Sequence, residues 1–394
     1  VDVTAGSKRV SESRLTMIPG PTPVRDAILR KLAIPTCSHQ DPSFVDTYRN
    51  ALNALCRIVR TEDAHPFIVG GGGTLGMEMA LINLLDPDDR LLVVSHGFFG
   101  DRWEQLANAF GFGCDVIRSE WGRTASLASV VERVDAGDYR AVAITHVDTS
   151  TGVVAPLRDF AEALRGRDTF FIVDGVCATA AVDEPFDEYG IDVLLTGPQK
   201  AIGAPPGVAL EVVSGRAIDH RRSLDRVQGY YADWTRWLPV MENPALYFST
   251  PPVNEIVALE QALQIVLDEG LDRRFARHQR LAAAMRAGME SLGLRVFADS
   301  DCRADTLSVL LYPDGVEDGA FRSAVAGRGV VVAGALGPIA GKGFRVGHMG
   351  NIGAGEVGRT LQTVGESLVE LGVGADPSAA LDAASNHLIE EDEA

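Results

Sequence analysis

The sequence predicts an α/β fold: a large domain built on a mostly parallel sheet, followed by a smaller α+β domain. Three observations carry this. Short apolar, β-branched runs recur at 67–69, 91–95, 141–146, 170–174, 193–196 and 208–213. Helix-like stretches at 75–85, 102–110, 127–134 and 157–164 separate the earlier runs, and such β-α alternation builds parallel strands covered by helices. From residue 254 to about 292 the pattern is helical, with Ile256, Leu259, Leu263 and Val266 at helix spacing, and this stretch leads out of the first domain.

The later elements follow in order. A strand is expected at 306–312, a helix at 319–326, a valine-rich strand at 330–333, a strand at 344–347 and a helix at 355–371. The expected division is an N-terminal extension over 1–16, a large domain over 17–268, a small domain over 269–373 and an acidic tail over 374–394. That tail, rich in Ala, Asp and Glu, reads as a solvated helix or as disordered chain.

Composition excludes several function classes. The chain has 394 residues, 46% of them hydrophobic, enough for a sizeable core. Its formal charge of −18 repels nucleic-acid backbones and anionic membranes, so neither is an expected partner. No run approaches the eighteen or so apolar residues of a membrane helix, and the start has no signal-peptide core; a soluble, cytoplasmic protein is expected. The five cysteines are scattered without a Cys-x-x-Cys pair, which reads as free thiols with no structural metal. Only four of the 36 basic residues are lysines: Lys8, Lys31, Lys200 and Lys342.

Three motifs carry chemistry. The run Gly70-Gly71-Gly72-Gly73-Thr74-Leu75-Gly76 follows an expected strand and opens a helix, where backbone amides and the helix end favour a phosphate. It also matches Gly-x-Gly-x-x-Gly, but a dinucleotide site needs an acid at the end of the next strand, and that strand ends Val94-Ser95-His96. A nicotinamide oxidoreductase is thereby disfavoured, and a purely structural turn stays open. In Gly197-Pro198-Gln199-Lys200, one of the rare lysines sits among small and apolar residues, a setting that suits Schiff-base chemistry. Asp174 ends the run Ile172-Val173-Asp174, where it can either hold a pyridine nitrogen protonated or cap a helix.

With these motifs placed, the sequence resembles the class V family of pyridoxal-phosphate-dependent aminotransferases, of fold type I, and within it the alanine/serine–glyoxylate (pyruvate) branch. The resemblance runs from Met17-Ile18-Pro19-Gly20-Pro21 to the helix near Leu371. It also includes Gly97-Phe98-Phe99-Gly100, His146-Val147-Asp148-Thr149-Ser150, Pro205-Pro206-Gly207 and Arg345-Val346-Gly347, all in the family's order.

The resemblance implies that Lys200 forms the Schiff base with pyridoxal 5′-phosphate and then carries the proton. It implies that Asp174 partners the pyridinium and that Val176 packs beneath the ring. Gly72, Gly73 and Thr74, with Gln199, are implied to hold the phosphate, and Thr149 to contact the cofactor. Tyr247 and Thr250 are implied to reach that phosphate from a second subunit, which makes the protein a homodimer. Gly20 and Arg345 are implied on the substrate side, Arg345 as the fork for the α-carboxylate, a bidentate task that suits arginine. Phe99 stands where several relatives stack tryptophan on the cofactor, and Gly72 and Thr74 stand where some relatives use serine and histidine. His39, His146 and His348 are expected to support or pack. Trp234, Trp237, Tyr230 and Tyr231 read equally as interface, pocket wall or core.

The implied reaction moves an amino group from alanine or serine to glyoxylate or pyruvate by a ping-pong route. Cysteine desulfurases need a cysteine in the small-domain loop, and residues 328–338 contain none. Pyridoxamine–pyruvate aminotransferase is a closer alternative, but it looks to carry glutamate at the position of Gly72. A non-catalytic pyridoxal-phosphate-binding protein is the reading from another class, and Lys200 argues against it.

Overall fold

The computed structural model describes residues 14–388. The residues expected to form the N-terminal extension before Arg14, and the acidic end after Leu388, lie outside the described part. A seven-stranded sheet runs in the order His65–Gly71, Gly207–Val213, Val193–Thr196, Phe170–Asp174, Ala141–Thr145, Arg90–Ser95, Gly113–Arg118. Gly207–Val213 pairs antiparallel with both neighbours, and the remaining pairs are parallel. Every residue of Ala141–Thr145 and Phe170–Asp174 is buried, as expected of central parallel strands covered on both faces.

Six of the seven strands coincide with the apolar runs of the sequence, because an unbroken β-branched run has no solvent-facing side to offer. The edge strand Gly113–Arg118 carries no such run; it is half-buried and mixed in polarity. The expected helices form as Gly73–Leu84, Phe98–Phe110, Leu127–Ala136 and Leu157–Leu164.

The long helical stretch is two helices, Val253–Glu269 and Leu271–Ser291, broken at Gly270. Gly270 has φ +82°, a left-handed conformation that only glycine adopts without strain. Beyond it a four-stranded antiparallel sheet forms in the order Arg295–Val296, Leu307–Leu311, Gly343–Gly347, Ala333–Gly334. The strand expected at 330–333 is split between two partners. Val330–Val331 pairs in parallel with Leu15–Thr16, and Ala333–Gly334 joins the second sheet. Met17 is also buried in this second core.

Helices Ala354–Glu370 and Pro377–Leu388 pack on Leu271–Ser291. Ala380 and Ala384 are buried there, so the alanine-rich stretch is a packed helix, not a wholly solvated one. Small residues let the helices approach: a Cβ on Gly288 would lie 3.0 Å from the Ala380 carbonyl. A third apolar cluster joins Val147, Ala178 and Ala201, on loops of the large sheet, to Leu307, Val309 and Met349 beside the small one. The candidate site lies along this seam.

Candidate active site

In a parallel sheet the strands end on one edge, and open α/β sheets bind ligands there. Thr145, Asp174 and Thr196 are the last residues of three adjacent parallel strands. Two antiparallel pairings in succession turn His65–Gly71 the same way, so Gly71 ends on this edge as well.

Asp174 is 4% exposed. Its Oδ1 accepts from the Val176 amide at 3.0 Å, and its Oδ2 from Oγ1 of Thr145, its register partner, at 3.2 Å. Burial raises its pKa to about 6, and the negative charges of Asp148 and Glu184 add to the rise. No cation pairs with it among the described residues. A buried carboxylate held in place by neutral donors lacks the positive partner that a pyridinium supplies.

Lys200 lies on the loop after Val193–Thr196, its Nζ donating to the Pro19 carbonyl. The loop is clamped through its backbone. The Lys200 carbonyl accepts from Thr22 Oγ1 at 2.8 Å, and the Gly203 carbonyl from Asn351 Nδ2 at 2.9 Å. Gly20 packs directly on the lysine, since a Cβ there would lie 2.4 to 2.7 Å from Cδ, Cε and Nζ. Burial pushes the Cys177 thiol up to about 11, against the opposing charge of Lys200.

Arg345 sits on the strand Gly343–Gly347, between Val309 and Ala333. It reaches across the seam, donating to the Gly334 carbonyl at 2.9 Å and, from Nη1, to the Thr149 carbonyl at 3.2 Å. Both hydrogen-bond partners are neutral, and burial lowers its pKa against the opposing pull of Cys177 and Asp148. Thr149 is 1% exposed and thus meets Arg345 through its backbone.

Phe99 and Val176 border the same space. The Phe99 amide donates to Asp148 Oδ2 at 2.9 Å, and its ring lies under the Arg102 guanidinium, 4.8 Å away. A Cβ on Gly73 would stand 2.9 Å from Val176 Cγ2, so the glycine lets the helix Gly73–Leu84 begin against the Asp174 turn. A Cβ on Gly72 would meet nothing within 4 Å, and no side chain caps the helix. The structure therefore leaves open, donor-rich space at Gly72, Gly73 and Thr74, which fits a phosphate group.

Three expected residues stand apart. The Gln199 side chain folds against Gly197, and the main-chain carbonyl of Gln199 accepts from the Thr22 amide at 3.0 Å. Tyr247 and Thr250 are exposed, with the Tyr247 ring 3.7 Å from that of His39. Among the described contacts of this chain, neither touches Lys200, Asp174 or Arg345.

The histidines support. His146 Nδ1 pairs with Glu184 Oε1 at 2.7 Å, and His348 Nε2 with Ser308 Oγ at 3.0 Å. Trp234 and Trp237 are core, whereas Tyr230 is 63% exposed. The sequence reading assigned no role to two further residues. Asp148 accepts from the Phe99, Gly100 and Ser150 amides and caps the helix Phe98–Phe110; the Asp-x-Ser spacing signals such a turn. Arg274 is fully buried and donates to Ala180 and Ala201 of the large half and, at 3.5 Å, to Gly350 of the small one. Glu269, five residues earlier, neutralises it at 2.5 Å, and nothing local in the sequence announces the pair.

A sheet edge that offers an unpaired buried carboxylate and a clamped lysine, closed by a second small sheet, is the architecture of fold type I pyridoxal-phosphate enzymes. Comparison with known proteins narrows the class. The family profile described as aminotransferase class-V matches residues 33–341, and the chain belongs to this family as a pyridoxal-phosphate-dependent transaminase. It is 34% identical to alanine–glyoxylate aminotransferase 1 of Saccharomyces cerevisiae over 85% of this chain and 91% of that one. The crystal structure of ureidoglycine–glyoxylate aminotransferase from Bacillus subtilis superposes with a TM-score of 0.93 at 28% identity, covering 97% of this chain and 99% of that one. That of pyridoxamine–pyruvate aminotransferase from Mesorhizobium loti gives 0.91 at 26% identity, over 98% and 100% of the two chains.

Proposed function

We propose that the enzyme transfers the amino group of a small monocarboxylic amino acid, alanine or serine, to glyoxylate or pyruvate. The observation that carries this is Arg345: one half-buried guanidinium, bonded only to the Gly334 and Thr149 carbonyls, is left to grip one substrate carboxylate. Glyoxylate is named as the acceptor for the yeast and Bacillus relatives.

Bound pyridoxal phosphate supplies an electron sink for negative charge at the substrate α-carbon. Asp174 would hold the ring nitrogen protonated, Val176 and Phe99 would flank the ring, and Thr149 positions Arg345. Gly72, Gly73 and Thr74 would hold the phosphate, and Gln199 would join them by swinging its side chain away from Gly197. With the cofactor bound, Lys200 Nζ would be the base that takes the proton from the substrate Cα and the acid that gives it back. Two copies form the working unit, each offering Tyr247 and Thr250 to the other's phosphate site; exposed Tyr230, Leu246 and Tyr247 support this surface. The five unpaired cysteines suit a reducing, cytoplasmic setting.

The Mesorhizobium structure favours a second reading, in which free pyridoxamine is the amino donor. Gly72 weighs against it, since the space there takes a phosphate without a repelling charge. A half-reaction screen of amino acids and pyridoxamine, following loss of the cofactor's visible band, decides between them. Alanine or serine should discharge the band and glyoxylate or pyruvate restore it. Discharge by pyridoxamine alone overturns the first reading.

A further inference from the structure

The phosphate space at Gly72–Thr74 presents an electrostatic deficit. A phosphate monoester carries nearly two negative charges at neutral pH, whereas a helix N-terminus offers about half a positive charge. Gly72 and Gly73 contribute no side chain and Thr74 only a hydroxyl, in a chain whose net charge is −18. Backbone amides orient a dianion but leave most of its charge uncompensated.

Arg102 stands at this point. Its Nη1 lies 3.3 Å from Thr74 Oγ1, and its guanidinium spans the rings of Phe98 and Phe99 at 5.6 and 4.8 Å. The acids beside it on the helix are engaged elsewhere: Asp101 and Glu104 both pair with Arg118, at its Nε and Nη2 respectively. Among the described residues, no carboxylate lies within ion-pair distance of Arg102. Arg345 shows the same pattern of a half-buried guanidinium with neutral partners, and it faces the place where the substrate carboxylate is expected.

We propose that Arg102 is a cofactor-binding residue, the cation that neutralises the phosphate seated on Gly72, Gly73 and Thr74. Stacking on Phe99 holds the guanidinium plane at the rim and spares it the entropy of a free surface arginine. The residue thus joins two tasks, bracing the ring that packs on the cofactor and pairing with its charged tail. The inference rests on the reading that Gly72–Thr74 holds the phosphate.

The test compares pyridoxal phosphate with pyridoxal, which lacks the phosphate, in equilibrium titrations of the apoprotein followed by tryptophan fluorescence. The native apoprotein should prefer pyridoxal phosphate strongly, and rising salt should erode that preference. Arg102→Gln should reduce the preference about tenfold or more by weakening pyridoxal phosphate alone, as loss of a charge-assisted contact does. Arg102→Lys should recover part of it. Equal weakening of both ligands in Arg102→Gln would mean that the arginine only braces Phe99, and an unchanged preference would mean that it plays no part; either overturns the proposal. A native apoprotein that does not distinguish the ligands would instead overturn the phosphate reading of Gly72–Thr74.

Discussion

The inner wall of the site and its outer rim are built by different means. On the wall, Asp174 is held by Thr145 and Val176, and Arg345 by two carbonyls from different segments. The Lys200 loop is clamped by Thr22 and Asn351. On the rim, Gly72, Thr74, Tyr247 and Thr250 are exposed and Arg102 has no acidic partner among the described residues. The wall is preorganised by tertiary packing, so its residues can hold strained charge states before any ligand arrives. The rim carries donors and charge that only a ligand or a second copy can match.

The largest effect should come from the wall. Lys200→Ala should abolish both turnover and the visible band of the bound cofactor, measured by absorbance and a stopped-flow half-reaction. Retention of either would remove the lysine from the centre of the mechanism.

Asp174→Asn should come next, lowering kcat by about a hundredfold or more, because an amide cannot hold the pyridine nitrogen protonated. The same change acts in the opposite sense on the apoprotein. Burial raises the Asp174 pKa from 3.8 to about 6, so the native state keeps a proton that the unfolded chain has lost. Below both values the carboxyl adds no penalty. As pH rises through that window native stability falls, and above it the full cost of the buried charge is present. The melting temperature of apo Asp174→Asn relative to native apoprotein should therefore climb as pH rises from 3.8 to about 6 and level off above, the window bounded by those two values. A pH-independent difference would show that the carboxylate is not desolvated.

Arg345→Ala should raise the amino-acid KM by roughly a hundredfold, in keeping with loss of a charge-assisted bidentate contact, and change kcat less. An unchanged KM would remove its role as carboxylate fork. The rim should respond least: Arg102→Gln changes cofactor affinity about tenfold while leaving the wall's chemistry in place. A rim substitution as damaging as Lys200→Ala would break the distinction between the two regions.

Much of the wall was legible in the chain. Asp174 ends one buried apolar strand and Lys200 follows another, and parallel strands ending on one edge bring such residues together. The rim was only partly legible. Gly72 and Gly73 announce a close approach, but Arg102 has no local signature, because its meaning depends on Thr74, 28 positions earlier. The valine-rich run at 330–333 looks like one strand in sequence but forms two, because its halves pair with segments 315 and 12 residues away.

By itself, the sequence determined the order of strands and helices, the mostly parallel sheet and the family, since these follow from local periodicity and from motifs whose spacing survives in one dimension. Only the tertiary structure decided the electrostatics. It alone shows that Asp174 has no cationic partner among the described residues, that Asp148 serves a helix end, and that Arg274 ties Ala180 and Ala201 to Gly350 through a fully buried guanidinium. Burial and charge pairing are set by residues distant in the chain, and the energy of a charge depends on its surroundings far more than on its neighbours in sequence.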